Sequence, residues 1–146
     1  MPFRFRLDAV LRFRESVELT EEAALHRIVR DIAEVQIELQ QVNLKQAQLR
    51  EQRERDLAQK LPAIHLLEIA EREQKLTQAA EQLRAQLQQL DSRRVKQLAI
   101  YKTAHQDRQV LSELREQQQR SYALDQRRQE QKTLDDMFLA RWKDSD

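Results

Sequence analysis

The side chains that most often carry out chemistry in proteins are present in this chain, but their spacing matches no common site. The sequence has three histidines, His26, His65 and His105, and no cysteine. Two metal ligands on a helix must lie three or four residues apart to share one face, and no histidine here has a second histidine at that distance. Without cysteine there is no thiolate nucleophile and no zinc–thiolate site. We therefore expect ordinary surface histidines and no metal.

Pairs of carboxylates are the next candidates for chemistry. Examples are Glu21 with Glu22, Glu34 with Glu38, and Asp135 with Asp136. General acid–base catalysis requires such groups to converge in a concave, partly dry pocket, so their meaning depends on the fold. The chain also has no glycine, which nearly excludes the Gly-rich loops that hold nucleotide phosphates. We expect no cofactor.

The composition predicts helices. Strong helix formers (Ala, Leu, Glu, Gln, Arg and Lys) dominate, and the 40% of residues that are hydrophobic recur at regular intervals, which argues against disorder. The net charge of +1 creates no general field for nucleic acid or anionic lipid. No run of about 18 apolar residues exists to span a bilayer, so we expect a cytoplasmic protein.

Pro62 divides the chain. Proline inside a helix removes a hydrogen bond and costs about 3 kcal/mol, and it also moves the preceding residue out of the helical region. We therefore predict a first helix from about residue 3 to 59, a turn near residues 60–63, and a second helix from about residue 62 to 140. A kink within one continuous helix is the alternative.

Both predicted helices carry a narrow apolar stripe with alternating three- and four-residue spacing, which is typical of a coiled coil. The predicted stripe of the first helix is Leu7, Val10, Val17, Leu25, Ile28, Ile32, Val35, Leu39, Val42 and Leu49. That of the second is Leu66, Ile69, Leu76, Ala80, Leu83, Leu87, Leu90, Val95, Leu98, Tyr101, Leu111 and Leu114. The polar side chains of Gln46, Glu73 and Arg94 interrupt these stripes.

The short connection favours an antiparallel hairpin, a single all-α coiled-coil domain over residues 1–146. A turn centred near residue 61 places Ile32 opposite Leu90 and Leu39 opposite Leu83, with Val10 near Leu111. Such a hairpin has no interior in which carboxylates could converge, so we expect no enzyme. The second helix would extend beyond the first from about residue 118.

The first fourteen residues interleave apolar side chains, three of them phenylalanines, with four arginines. Phe3 and Phe5 are interleaved with Arg4 and Arg6, and Arg12 and Arg14 follow. A partner-binding segment, a helix start that packs on the other helix, and a membrane or nucleic-acid arm all show this pattern. The sequence leaves these three interpretations open.

The C-terminal extension is the second notable segment. Leu134 and Phe138 fall on one helical face, after the basic pair Arg127 and Arg128. Tyr122, Leu124, Met137 and Trp142 add apolar surface that has no obvious partner within the chain. We favour a docking surface for this segment, and a frayed, solvated helix end is the alternative.

The two ends together resemble the FliJ family of the bacterial flagellar type III export apparatus. The resemblance rests on Phe3-x-Phe5-x-Leu7-x-x-Val10-Leu11-x-x-Arg14 at the start and on Arg127-Arg128-x-Glu130-Gln131-Lys132-x-Leu134-Asp135-Asp136 near the end. Chain length, the lack of cysteine and the two-helix pattern agree with it.

The resemblance implies a stalk-like antiparallel coiled coil that inserts by its termini into the export ATPase ring and promotes ring assembly. It also implies contact with the export-gate membrane protein, through the half of the chain near the turn (roughly residues 35–85), and with export chaperones. The protein would then lie in the cytoplasm, peripheral to the cytoplasmic face of the membrane. The partner-binding candidates are Phe3, Arg4, Phe5, Arg6, Arg12, Arg14, Arg127, Arg128, Leu134 and Phe138.

Two other functions remain open on the sequence. One is the equivalent stalk of a non-flagellar type III secretion system. The other is a structural coiled coil that dimerises through parallel helices.

Overall fold

The computed structural model describes residues 2–144, and these residues form two long helices and no strand. Helix α1 spans Asp8–Ala58 and helix α2 spans Ala63–Asp144. The two helices contact each other as an antiparallel hairpin whose connection covers Gln59 to Pro62. The predicted fold class and turn position are therefore confirmed. Neither described helix has a stretch apolar enough and long enough to cross a bilayer.

The chain divides into two compact units. The turn unit is Glu21–Tyr101, and the terminal unit combines Met1–Thr20 with Lys102–Asp146. Each unit contains one stretch of α1 and one stretch of α2, and we describe each separately.

In the turn unit, cross-helix contacts join Arg53 to Glu73 near the connection and Glu21 to Gln97 at the other end. Residue numbers thus rise along one helix as they fall along the other, which is the predicted antiparallel arrangement. Most side chains predicted for the stripe are buried or half-buried here: Leu25, Ile28, Ile32, Val35, Leu39, Val42, Leu49, Leu66, Ile69, Leu76, Ala80, Leu83, Leu87, Leu90, Leu98 and Tyr101. Val95 was wrongly included. It is exposed because Arg94, Gln97 and Leu98 occupy the inward positions at this level.

In the terminal unit, the predicted start of α1 at residue 3 is wrong, since the helix begins at Asp8. On a helix, the side chains of residues i and i+2 point to nearly opposite sides. In an extended segment, the side chains of residues i and i+2 lie on the same side. The non-helical segment therefore allows Phe3 and Phe5 to face the same way. The predicted inward residues Leu7 and Val10 are exposed, and Leu11 is buried in their place.

The other end of α2 also departs from prediction, because the helix continues to Asp144 instead of ending near residue 140. Arg141 and Lys143 lie in its last turn, where positive side chains interact favourably with the helix dipole.

The connection closes α1 without glycine. Lys60 has a φ of 55°, in the left-handed region, and the N–H of Leu61 donates to the carbonyl of Asp56 at 3.3 Å. The N–H of Lys60 donates to the carbonyl of Leu57 at 3.2 Å. These two bonds form the Schellman motif, in which glycine is the usual left-handed residue. Lys60 therefore carries backbone strain that glycine would not.

We expect Lys60→Gly to raise the free energy of unfolding by about 0.5–1 kcal/mol. A left-handed non-glycine residue costs about 1–2 kcal/mol, and the larger backbone entropy that glycine loses offsets part of the gain. Urea unfolding followed by circular dichroism measures the change. The matched control is Lys96→Gly inside α2, which should lower stability by about 1 kcal/mol. A stability equal to or below that of the wild type would contradict the strain at Lys60.

Candidate partner-binding surfaces

The N-terminal arm, residues 2–7, lies against α2 in the terminal unit. Phe5 is buried, and the centroid of the Phe3 ring lies 5.7 Å from that of Tyr122, with the rings tilted by 49°. This spacing is within the range of attractive aromatic pairs. Arg4 and Arg6 are exposed. Tyr122, which lacked an obvious partner in the sequence, is thus covered in part by Phe3.

The next two arginines of the partner-binding candidates, Arg12 and Arg14, differ in their contacts. Arg12 forms a 3.0 Å ion pair with Asp8 one turn earlier, and its side chain is largely exposed. Arg14 reaches across to Asp107 on α2, with Nη1 at 3.3 Å from Oδ2, and its guanidinium carbon lies 5.9 Å from the Phe13 ring centroid. Arg14 therefore joins the two helices, whereas Arg12 presents its charge to solvent.

A cluster around Glu18 forms a second cross-helix connection in the terminal unit. Arg108 donates to the Glu18 carboxylate from Nε at 2.5 Å and from Nη2 at 3.4 Å. Nδ1 of His105 lies 3.0 Å from the Glu18 Oε1 atom. Hydrogen bonds from Arg108 and, second, from His105 hold the pKa of Glu18 below its ordinary value of 4.5, against the opposing effect of burial. Sequence reasoning predicted a surface histidine here and did not identify Glu18 or Arg108.

We expect Glu18→Gln to lower the free energy of unfolding by about 1–2 kcal/mol at pH 7, because it removes a charge-assisted, two-point contact. Since the native pKa is below the unfolded one, the carboxylate stabilises the fold above its unfolded pKa, and this contribution is lost as pH falls through the native pKa. Urea unfolding at pH 7 and at strongly acidic pH should therefore show a difference only at pH 7. Glu15→Gln, an exposed change three residues away, is the control. Equal stability of the two variants at pH 7 would refute this role of Glu18.

The C-terminal apolar face is formed by Leu134, Met137, Phe138 and the stem of Arg141. These residues are spaced as one face of α2, and with Asp135 they line a shallow groove. Leu134 is 61% exposed and Phe138 is 70% exposed. Every described side chain after Gln126 is exposed, including Arg127 and Arg128. Contiguous apolar surface of this kind is typical of a site that another molecule covers.

Two shallow grooves run beside the stripe in the turn unit. The basic groove is lined by Lys45, Gln48, Leu49, Gln52, Arg72, Lys75 and Leu76. None of these seven residues is acidic, and three cations surround two leucines. The neighbouring groove is lined mainly by glutamine and small or apolar side chains: Glu38, Gln41, Val42, Lys45, Ala79, Gln82, Leu83, Ala85, Gln86 and Gln89.

The C-terminal apolar face and the grooves of the turn unit are better suited to protein binding than to catalysis. The two grooves of the turn unit and the groove at the C-terminal apolar face are shallow and open to solvent, whereas acid–base catalysis requires carboxylates that converge in a partly dry pocket. Within residues 2–144, no group of three His, Cys, Asp or Glu side chains is placed to hold a metal ion. The described surfaces offer exposed arginines together with Met137 and Phe138, and arginine, methionine and aromatic residues are enriched in protein interfaces.

Comparison with known proteins supports the resemblance seen at the two ends. The family model described as "Flagellar FliJ protein" matches residues 3–145, nearly the whole chain. Neither a curated protein nor a solved structure matches the chain significantly. The family match is sufficient on its own: the chain belongs to the flagellar FliJ family and is a component of the bacterial flagellar protein export apparatus.

Proposed function

We propose that this FliJ-family chain is a non-enzymatic, stalk-like coiled coil that binds the export ATPase ring and promotes its assembly and activity. In this proposal it also links the ring to the export gate and to export chaperones, at the cytoplasmic face of the membrane. The observation that carries the proposal is the C-terminal apolar face, which stays exposed in the same unit that holds the N-terminal arm.

The candidate residues would share the ring contact unequally. Leu134 and Phe138 are the apolar anchors, because large exposed side chains contribute most of the energy of an interface once it excludes water. Arg127 and Arg128 supply charge nearby. Exposed rim charges raise association rates more than affinity, so their substitution should act mainly on the rate of binding.

The N-terminal arm would contribute through its outer side. Arg4, Arg6 and Arg12 are exposed and available to a partner. Phe3 and Phe5 face α2, so their contribution is to hold the arm in place. Arg14 already pairs with Asp107 and would act mainly by fixing the start of α1.

The gate contact would lie in the turn unit. The basic groove is a surface of cations around leucines, which suits a partner that combines acidic and apolar side chains. It falls within the region near the turn that the family resemblance assigns to the gate. We assign no surface to the chaperones.

The test is the effect of the purified protein on its cognate export ATPase. We expect increased ATP hydrolysis and a shift of the ATPase towards hexamers in sedimentation velocity, while the protein alone hydrolyses no ATP. The absence of both binding and activation would refute the ring contact. Light scattering of the protein alone addresses the parallel-dimer alternative, since the hairpin requires only one chain.

A further inference from the structure

The end of α1 that precedes the connection has few apolar side chains to offer to α2. After Leu49, which is buried, the three- and four-residue spacing continues to Arg53 and Asp56. Asp56 is half-buried, whereas Arg53 is exposed and reaches Glu73 on α2 with its guanidinium group. The only large apolar side chain of this stretch, Leu57, is exposed. The opposite stretch of α2 contains Ile69, which is only 3% exposed. A well-buried isoleucine therefore lies on α2 opposite a stretch of α1 whose side chains are mostly polar.

Glu73, one helical turn after Ile69 on α2, destabilises the closed contact between the two helices. Its Oε2 atom accepts a hydrogen bond from Nη1 of Arg53 at 3.2 Å. Its Oε1 atom is buried and has no hydrogen-bond partner among the described residues. A buried carboxylate oxygen without a partner is unfavourable, because water would solvate it in the open chain. The contact with Arg53 compensates for only one of the two oxygens.

We infer that the turn-proximal segment, residues 50–72 with its connection, opens and closes as a separate element, and that the Arg53–Glu73 ion pair holds it closed. Opening this segment releases three inward apolar side chains, Leu61, Leu66 and Ile69, and solvates Glu73. It therefore requires less free energy than separating the longer apolar stripe from Leu25 to Leu49. Closed, the segment hides Ile69, and open, it exposes this side chain. The turn unit therefore presents two different surfaces to its surroundings.

Native-state hydrogen exchange of the full-length protein, read by mass spectrometry, tests this inference. We expect amides of residues 50–72 to exchange at least about tenfold faster than those of residues 25–49 in the wild type. The double substitution Arg53→Leu with Glu73→Leu should slow exchange in residues 50–72 by about tenfold, because it makes the inward positions apolar. Raising the salt concentration should speed exchange in this segment of the wild type and leave the double variant unchanged.

The control is Arg94→Leu, which removes another inward charge of the turn unit, one that bonds only within its own helix to Asp91. It should leave exchange in residues 50–72 unchanged. If the double variant loses helix content, Arg53→Ala replaces it and should speed exchange in this segment severalfold. Equal exchange of the two wild-type segments, or double-variant exchange as fast as wild type, would overturn the inference. The measurement uses no partner protein, so its failure is distinct from failure of the proposed function.

Discussion

Substituting both anchors of the C-terminal apolar face, Leu134→Asp with Phe138→Asp, should weaken binding to the export ATPase at least about a hundredfold. Loss of a central interface anchor costs about 2–4 kcal/mol, and each 1.36 kcal/mol is tenfold in affinity. A charge placed in the contact adds a desolvation cost. Both side chains are exposed in the isolated chain, so helix content and unfolding temperature should remain close to those of the wild type.

The measurement is a titration of ATP hydrolysis against added protein, together with direct binding by sedimentation. The matched control is Leu139→Asp with Val110→Asp. Leu139 is 54% exposed and lies outside the C-terminal apolar face, and Val110 is 65% exposed and lies elsewhere on α2. The control makes the same chemical change at equally accessible positions. Equal loss in the two double variants would mean that added negative charge, not the apolar face, is responsible.

The fold was predictable because it depends on long-range regularity. The stripe from Leu25 to Leu49 repeats the same spacing many times, so an error at one residue does not alter the interpretation. Pro62 marks the connection within a residue or two, since proline cannot continue a helix. The exposure of Leu134 and Phe138 was predictable for a related reason, because the predicted second helix extends about 25 residues beyond the start of the first.

The N-terminal arm was mispredicted because two periodicities compete there. Phe3 and Phe5 are two residues apart, which indicates an extended segment, whereas Leu7, Leu11 and Arg14 continue with helical spacing. The helical spacing continues towards the N-terminus beyond Asp8, where the helix itself begins. The alternation of Phe and Arg was the signal that could have identified the extended segment.

The contacts of the Glu18 cluster could not be predicted, because the sequence does not give the helix register and the rotamers accurately enough. Its three side chains come from two helices, and their contact requires the register between the helices to be correct within one residue and the rotamers to be known. The periodicity predicts which faces meet, but not which long polar side chains beside the stripe will touch. The same limit applies to Arg53 and Glu73, where only the interruption at Glu73 was visible in the sequence.

Reversing the charge of the basic groove should weaken binding to the cytoplasmic part of the export gate by about thirtyfold to a thousandfold. The variant is Lys45→Glu with Arg72→Glu and Lys75→Glu. Opposing like charges across an interface costs several kcal/mol in total. Activation of the ATPase should be unchanged, because the groove lies in the turn unit and the proposed ring contact lies in the terminal unit.

The ionic strength provides an independent readout of the same contact. Wild-type binding to the gate should weaken as salt rises, since exposed charges are screened beyond about 8–10 Å at physiological ionic strength. Residual binding by the triple variant should lose this dependence or reverse it. The control reverses three exposed charges elsewhere in the turn unit, with Arg27→Glu, Arg93→Glu and Lys96→Glu, and thus has the same net charge. If this control weakens gate binding as much as the groove variant does, the gate responds to the overall charge of the protein. If the groove variant binds the gate normally while helix content is intact, the gate contact lies on another face.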